Sequence, residues 1–288
     1  MTAGVLLMAY GSPASLAEVP AYLTHIRGGR PPSPEQVADL CRRYEAIGGL
    51  SPLAARTHAQ ARALAAALGD GWRVALGMKH AAPSIEDARA ELAGCAPVVG
   101  LVLAPHYSAL SVGEYLERAG PGVVGVRCWH TEPGYLDALA ERVGRSLAAL
   151  PRGSHVVFTA HSLPARILAT DDPYPAQVAE TADAVARRLG LAAEGWSVAW
   201  QSAPPSPEPW LGPDVRDVIR QVARAGTPGV CVCPCGFVTD HLETLYDLDV
   251  DAAAVARECG VAFARTAALD DDPRLVAALA DVVRRAAG

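Results

Sequence analysis

The sequence predicts a duplicated α/β fold: two four-stranded parallel sheets, each covered by helices. Three observations lead there. Short, near-continuous apolar runs alternate with longer segments of helical period, the pattern of strands buried on both faces of a parallel sheet. Eight such runs fall along the 288 residues as two sets of four. The sets also echo each other. Val5-Leu-Leu-Met-Ala-Tyr-Gly-Ser-Pro13 resembles Val156-Val-Phe-Thr-Ala-His-Ser-Leu-Pro164, and Leu101-Val-Leu-Ala-Pro-His106 resembles Val230-Cys-Val-Cys-Pro-Cys235.

The first run, Val5–Ala9, has no basic segment before it and leads straight into a turn, so it reads as a strand and not as a signal peptide. The strands expected after it are Trp72–Gly77, Val98–Ala104 and Gly122–Cys128, then His155–Ala160, Trp196–Gln201, Gly229–Cys233 and Val261–Arg265. The helical period marks Pro34–Ala46, Thr57–Ala67, Ser84–Gly94 and Gly134–Leu147 in the first half. In the second half it marks Pro175–Leu189, Asp214–Ala225, Ala252–Cys259 and Pro273–Ala287. The loop-like stretch Leu150–Ser154 sets the expected domains at 1–150 and 151–288. It is left open whether the final helix packs back on the first half.

Composition removes several function classes. Hydrophobic residues make up 51% and charged residues 19%, unlike a disordered chain. With 25 Lys and Arg against 31 Asp and Glu, the net charge of −6 offers no basic stripe for nucleic acid. No run reaches the roughly 18–20 apolar residues of a membrane span. A cytoplasmic protein is expected, with its seven cysteines as free thiols. Lys79 is the only lysine in the chain.

Ligands of open parallel sheets bind at the carboxyl ends of strands. That rule selects Tyr10, Lys79, His80, His106, Tyr107, His161, Ser162, Gln201, Ser202 and the segment after Cys235, on two rims that would frame a cleft. His161 at a strand end suits a general base, or else a structural hydrogen bond. There is no Gly-x-Ser-x-Gly elbow, which argues against an esterase. Glu243, Asp247 and Asp251 would share one helical face at i, i+4 and i+8. Like charges at that spacing repel, so the stripe is either a path for a hard cation or protons, or a solvated acidic face. Arg27 and Arg30 flank Gly28-Gly29, and Arg42-Arg43-Tyr44 precedes Ser51. Their forks suit an anionic organic ligand, although surface arginines would look the same. Cys231, Cys233 and Cys235 alternate onto one strand face, where core packing is favoured over a metal or iron–sulfur site.

These segments together resemble the ferrochelatase family over nearly the whole chain. The resemblance is carried by Met8-Ala-Tyr10-Gly, Arg43-Tyr-Glu-Ala-Ile-Gly-Gly-Leu-Ser51-Pro-Leu, Gly77-Met-Lys79-His80 and Leu103-Ala-Pro-His106-Tyr-Ser. It continues through Ala160-His161-Ser-Leu-Pro, Asp172-Pro-Tyr-Pro, Trp200-Gln-Ser, Pro209-Trp-Leu-Gly-Pro-Asp214 and Gly236-Phe-Val-Thr-Asp-His241-Leu-Glu243. It implies two Rossmann-like, chelatase-like domains with the active-site cleft between them. It further implies insertion of Fe²⁺, a substrate, into a porphyrin, with His161 and Glu243 as the catalytic pair that meets the metal. Asp247 and Asp251 would form a relay.

Within the family, the chain is most similar to the coproporphyrin III ferrochelatases of the Gram-positive type. That similarity implies Tyr10 as axial ligand to the product iron. It implies Arg27, Arg43, Tyr44, Ser51 and Tyr115 as substrate-binding residues. The alternatives are a protoporphyrin IX enzyme and a non-catalytic porphyrin carrier. The chain stops at Gly288 without a Cys-rich extension, so no [2Fe-2S] cluster and no permanently bound cofactor are expected. The expected partners are coproporphyrin III, Fe²⁺ and, transiently, enzymes of the heme pathway. The expected state is a monomer with no nucleic acid and no membrane span.

Overall fold

The structure is a computed structural model and describes residues 2–288. Its first half runs β1 (Ala3–Ala9), α1 (Val19–Ile26), α2 (Pro34–Ala46), α3 (Leu53–Leu68), β2 (Trp72–Met78), α4 (Ile85–Glu91) and β3 (Val98–Val102). A π-helical segment at Ala109–Gly113 leads into α5 (Glu114–Ala119), followed by β4 (Val123–Gly125) and α6 (Pro133–Ala148). The second half runs β5 (His155–His161), α7 (Tyr174–Leu189), β6 (Trp196–Gln201), α8 (Val215–Arg224) and β7 (Gly229–Cys233). A second π-helical segment at Thr244–Ala252 leads into α9 (Ala253–Glu258), then β8 (Ala262–Arg265) and α10 (Pro273–Ala287).

All strand pairs are parallel, and the sheet orders β2-β1-β3-β4 and β6-β5-β7-β8 are the same order repeated. Val5, Leu6, Leu7 and Met8 are fully buried, as are Val156, Val157 and Phe158, because β1 and β5 are central strands covered on both faces. Helix starts follow local chemistry. Ser33 and Gln36 close a capping box on α2, and Ser84 and Asp87 close one on α4. Asp214 and Asp272 accept backbone N–H groups at the starts of α8 and α10.

The final helix does return to the first half: α10 packs on α3, β3 and β4. Reciprocally, α6 packs on α7, β7 and β8 of the second half. The two exchanged helices cross at Gly134, where a side chain would stand 2.7 Å from the Arg274 carbonyl oxygen. One core cluster therefore runs through both halves, from Leu7 and Leu101 to Phe158, Leu139 and Leu279. Cys231, Cys233 and Cys235 point into this cluster, and burial pushes the Cys231 and Cys235 thiols up to about 12. Val230 and Val232 face the other way, into the cluster under α8 and α9.

Several boundaries differ from the sequence expectation. β4 holds only Val123–Gly125 of the expected Gly122–Cys128, as an edge strand with β3 as its one neighbour. β3 stops at Val102, two residues before the expected Ala104. α1 and α5 carry no strong periodic signal: α1 is Val-Pro-Ala-Tyr-Leu-Thr-His-Ile, poor in helix formers, and α5 has six residues. The segment bearing Asp247 and Asp251 is a π-helix and not the α-helix expected. Its i→i+5 bonds wind more slowly, and such segments recur at functional sites.

Candidate active site

A cleft of about 670 Å³ lies between the halves, at the carboxyl ends of β1, β2, β3, β5 and β7. Polar contacts across the seam fix its walls. His106 Nε2 lies 2.9 Å from Thr181 Oγ1, and Gln177 accepts the Tyr107 backbone N–H at 2.7 Å. Asp172 accepts from the Ser108 hydroxyl and the Ala109 N–H, both at 2.9 Å. Leu110 and Ser111, on the cleft wall, are thereby tied to the second half.

His161 ends β5 and projects into the cleft. Its Nδ1 stands 2.5 Å from the Ser162 carbonyl, which can only accept, so Nδ1 carries the proton. Its Nε2 faces Glu243, with 3.5 Å between Nε2 and Oε2. The same Oε2 lies 3.5 Å from His241 Nε2, so one carboxylate serves two imidazoles. Burial alone would lower the proton affinity of His161, but Glu243, aided by the Ser162 carbonyl and Asp247, reverses the sign and raises its pKa to about 9. Burial pulls Glu243 the opposite way, and His161 and His241 overcome it to hold the carboxyl well below the usual range. Gly236 makes this meeting possible. A Cβ there would lie 2.6 Å from the Ala160 Cβ, so only glycine lets the chain after β7 pass this close to the end of β5.

On the first-half wall, the Tyr10 ring lies 4.6 Å from that of His80, whose Nδ1 is 2.9 Å from His25 Nδ1. Burial, with Lys79, His25 and Arg118 nearby, lowers the His80 pKa to about 4, leaving the ring neutral. The enclosing protein, with Glu243 and Glu114, raises the Tyr10 phenol well above its usual value. Lys79 pairs with Glu114. Arg43 pairs with Asp247, which also accepts the Ser202 hydroxyl at 2.5 Å. Burial raises the Asp247 carboxyl above its ordinary value despite both partners.

The ferrochelatase family model matches residues 2–287. The chain belongs to the ferrochelatase family. Among its curated relatives, the coproporphyrin III ferrochelatase of Anoxybacillus flavithermus is 43% identical over 97% of this chain and 95% of its own. That of Geobacillus kaustophilus is 43% identical over 98% and 95%. A protein of Deinococcus radiodurans named ferrochelatase is 41% identical over 99% and 96%. The solved structure of SirB from Bacillus subtilis with Fe³⁺ matches with a TM-score of 0.57 at 12% identity, covering 100% of this chain and 96% of that one, a likeness of fold alone.

In this ferrochelatase-family chain, Tyr10, Arg43, Tyr44, Ser51, Tyr115, His161 and Glu243 all line the one cleft. Three of the expected site residues lie outside that lining. Arg27 is not on the wall; it caps α1 and its Nε turns back to the Arg30 carbonyl at 3.3 Å. Asp247 and Asp251 lie outside the lining, and Asp247 is engaged by Arg43 and Ser202. Asp251 has no ion pair among the described residues. Sequence reasoning assigned no role to His241, Glu114 or His25. For His241 a signal was present, since it sits two residues before Glu243 in Asp240-His241-Leu-Glu243.

Proposed function

We propose that this ferrochelatase inserts Fe²⁺ into coproporphyrin III. Four Fe–N bonds form, two of them at the pyrrole nitrogens whose N–H bonds break, and those two protons leave. The observation that carries the mechanism is the unprotected face of His161: Nδ1 is committed to the Ser162 carbonyl, so any proton gained or lost passes through Nε2, beside Glu243. The substrate reading is supported by the coproporphyrin III enzymes among the relatives. A cleft lined by Arg43, Tyr44, Ser51 and Tyr115 suits carboxylates.

With its pKa near 9, His161 is an imidazolium at neutral pH and cannot yet act as a base. Fe²⁺ approaching Glu243 neutralises the charge that holds this proton. The imidazolium then releases it to solvent, and burial, with its main opponent neutralised, keeps Nε2 free to take a proton from the pyrrole. Metal arrival and proton removal are thus coupled through one carboxylate. Tyr10, kept neutral, offers a phenol oxygen to the product iron. Asp247 and Asp251 extend the negative charge of Glu243 along the π-helical segment and form the outer path for Fe²⁺ or protons. Arg43, Tyr44, Ser51 and Tyr115 hold the substrate carboxylates, a positioning role. Arg27 stands outside this set. The same reading takes 1–150 and 151–288 as the two units of a duplicated chain, which the repeated strand order supports.

The test is anaerobic Fe²⁺ insertion followed by absorbance, with coproporphyrin III and protoporphyrin IX compared. Preference for coproporphyrin III is expected. Preference for protoporphyrin IX would overturn the substrate, and porphyrin binding without insertion would turn the protein into a carrier.

A further inference from the structure

We propose that Lys79 anchors a carboxylate of the porphyrin, and that Glu114 is the counter-ion it holds until substrate arrives. This rests on reading the cleft as a porphyrin polycarboxylate site.

The cleft carries two permanent cations, Arg43 and Lys79, and each is built into the same three-part unit. Arg43 pairs with Asp247 and lies 4.6 Å over the ring of Tyr246. Lys79 pairs with Glu114 and lies 5.1 Å over the ring of Tyr115. In each unit the carboxylate and the aromatic are sequence neighbours, Tyr246-Asp247 and Glu114-Tyr115. Both neighbour pairs lie in the π-helical or α-helical stretch that follows the third strand of a sheet. Position also ties Glu114 to Glu243. Pro105 and Pro234 occupy the same place in the echoed strand ends, and each is followed nine residues later by a glutamate on the cleft wall.

The two units differ in solvation. The Asp247 side chain is 14% exposed and takes a second hydrogen bond from Ser202, so removing it from Arg43 would strand a largely buried charge. The Glu114 side chain is 46% exposed and has Lys79 as its one side-chain partner among the described residues. Its carboxylate can move into water at little cost. Lys79 cannot follow, because its side chain is 13% exposed. Left alone it would be an uncompensated buried cation. Exchange of Glu114 for a substrate carboxylate avoids that penalty, since one anion leaves as another arrives. An ammonium group suits such an exchange, with three rotatable donors and no fixed plane. Tyr115, beneath the ammonium, also lines the cleft.

A static ion pair and an exchangeable one respond differently when cut. The experiment measures porphyrin affinity by fluorescence quenching for wild type, Lys79→Met, Lys79→Arg and Glu114→Gln, with thermal unfolding of each as a check on folding. Exchange requires the two halves of the pair to act with opposite sign. Lys79→Met weakens coproporphyrin III binding by about tenfold, and Lys79→Arg recovers most of it. Glu114→Gln removes the competitor and tightens binding several-fold. Both variants weakening binding, or neither changing it, while coproporphyrin III preference persists, would overturn the role of Lys79 alone. Opposite effects together with a preference for protoporphyrin IX would support Lys79 and overturn the choice of substrate.

Discussion

His161 Nε2 and Glu243 Oε2 face each other at 3.5 Å, brought from the end of β5 and from the start of the π-helical segment after β7 to the same point of the cleft. The pair couples a raised imidazole to a depressed carboxylate, so disturbing either residue has a directional consequence.

The first consequence is a titration. Glu243 is what lifts His161 from 6.5 to about 9. In Glu243→Gln, only the Ser162 carbonyl and Asp247 still oppose burial, and the His161 ring should titrate well below 9, read from its carbon-bound ring protons by NMR. The sign for stability follows by linkage. A raised imidazole stabilises the fold fully below its unfolded value of 6.5 and loses that contribution as pH rises through about 9. The depressed Glu243 contributes above its unfolded value of 4.5 and loses it as pH falls toward its folded value. Urea midpoints of wild type should therefore fall more than those of Glu243→Gln between pH 7 and 9.5. Parallel curves would show that the pair does not titrate in this way.

Insertion rate should obey the same logic. Wild-type turnover at saturating porphyrin should rise with pH over the neutral range at low Fe²⁺, because the imidazolium must lose its proton before Nε2 can act. High Fe²⁺ should flatten that rise, since the metal displaces the proton. His161→Ala should bind coproporphyrin III and insert iron at least a hundredfold more slowly. Unchanged insertion would remove His161 from the chemistry.

Gly236 sets the approach of the two chains. Gly236→Ala puts a methyl 2.6 Å from the Ala160 Cβ and should push the segment Phe237–Glu243 outward. A displacement near 1 Å at reacting groups costs about a hundredfold in rate. The expected result is a kcat loss of that order with porphyrin KM little changed, measured in steady state.

Arg43 and Asp247 are bonded across 204 residues of chain. Arg43→Ala should raise KM for the tetracarboxylate. It should also leave Asp247 with Ser202 as its one remaining partner, at a cost of about 1–3 kcal/mol in chemical unfolding. An unchanged KM would take Arg43 out of the substrate site.

The eight strands, their division into two sets and the repeat between the sets were legible because strands buried on both faces must be apolar throughout, a local property. That Tyr10 and His161 would stand at the cleft was legible for a related reason. The carboxyl end of a parallel strand is where a covered sheet opens, so polar residues there stand out. The acidic helical stripe pointed to Glu243, the arginine-rich segment to Arg43, Tyr44 and Ser51, and the family segments added Tyr115.

Tertiary packing decided the rest. Periodicity reports which face of an element is buried and not what buries it, so it cannot tell that α6 covers the second sheet while α10 covers the first. It likewise marks Glu243, Asp247 and Asp251 as one stripe. Yet Glu243 turns to two histidines in the cleft, while Asp247, outside the lining, turns to Arg43 and Ser202. Which arginine reaches the cleft depends on where a helix end sits: Arg43 on α2 faces it, and Arg27 at the end of α1 does not. Pairings between residues far apart in the chain are set by how the sheets and crossovers pack, because a short-range charge contact exists only where that packing brings both groups together.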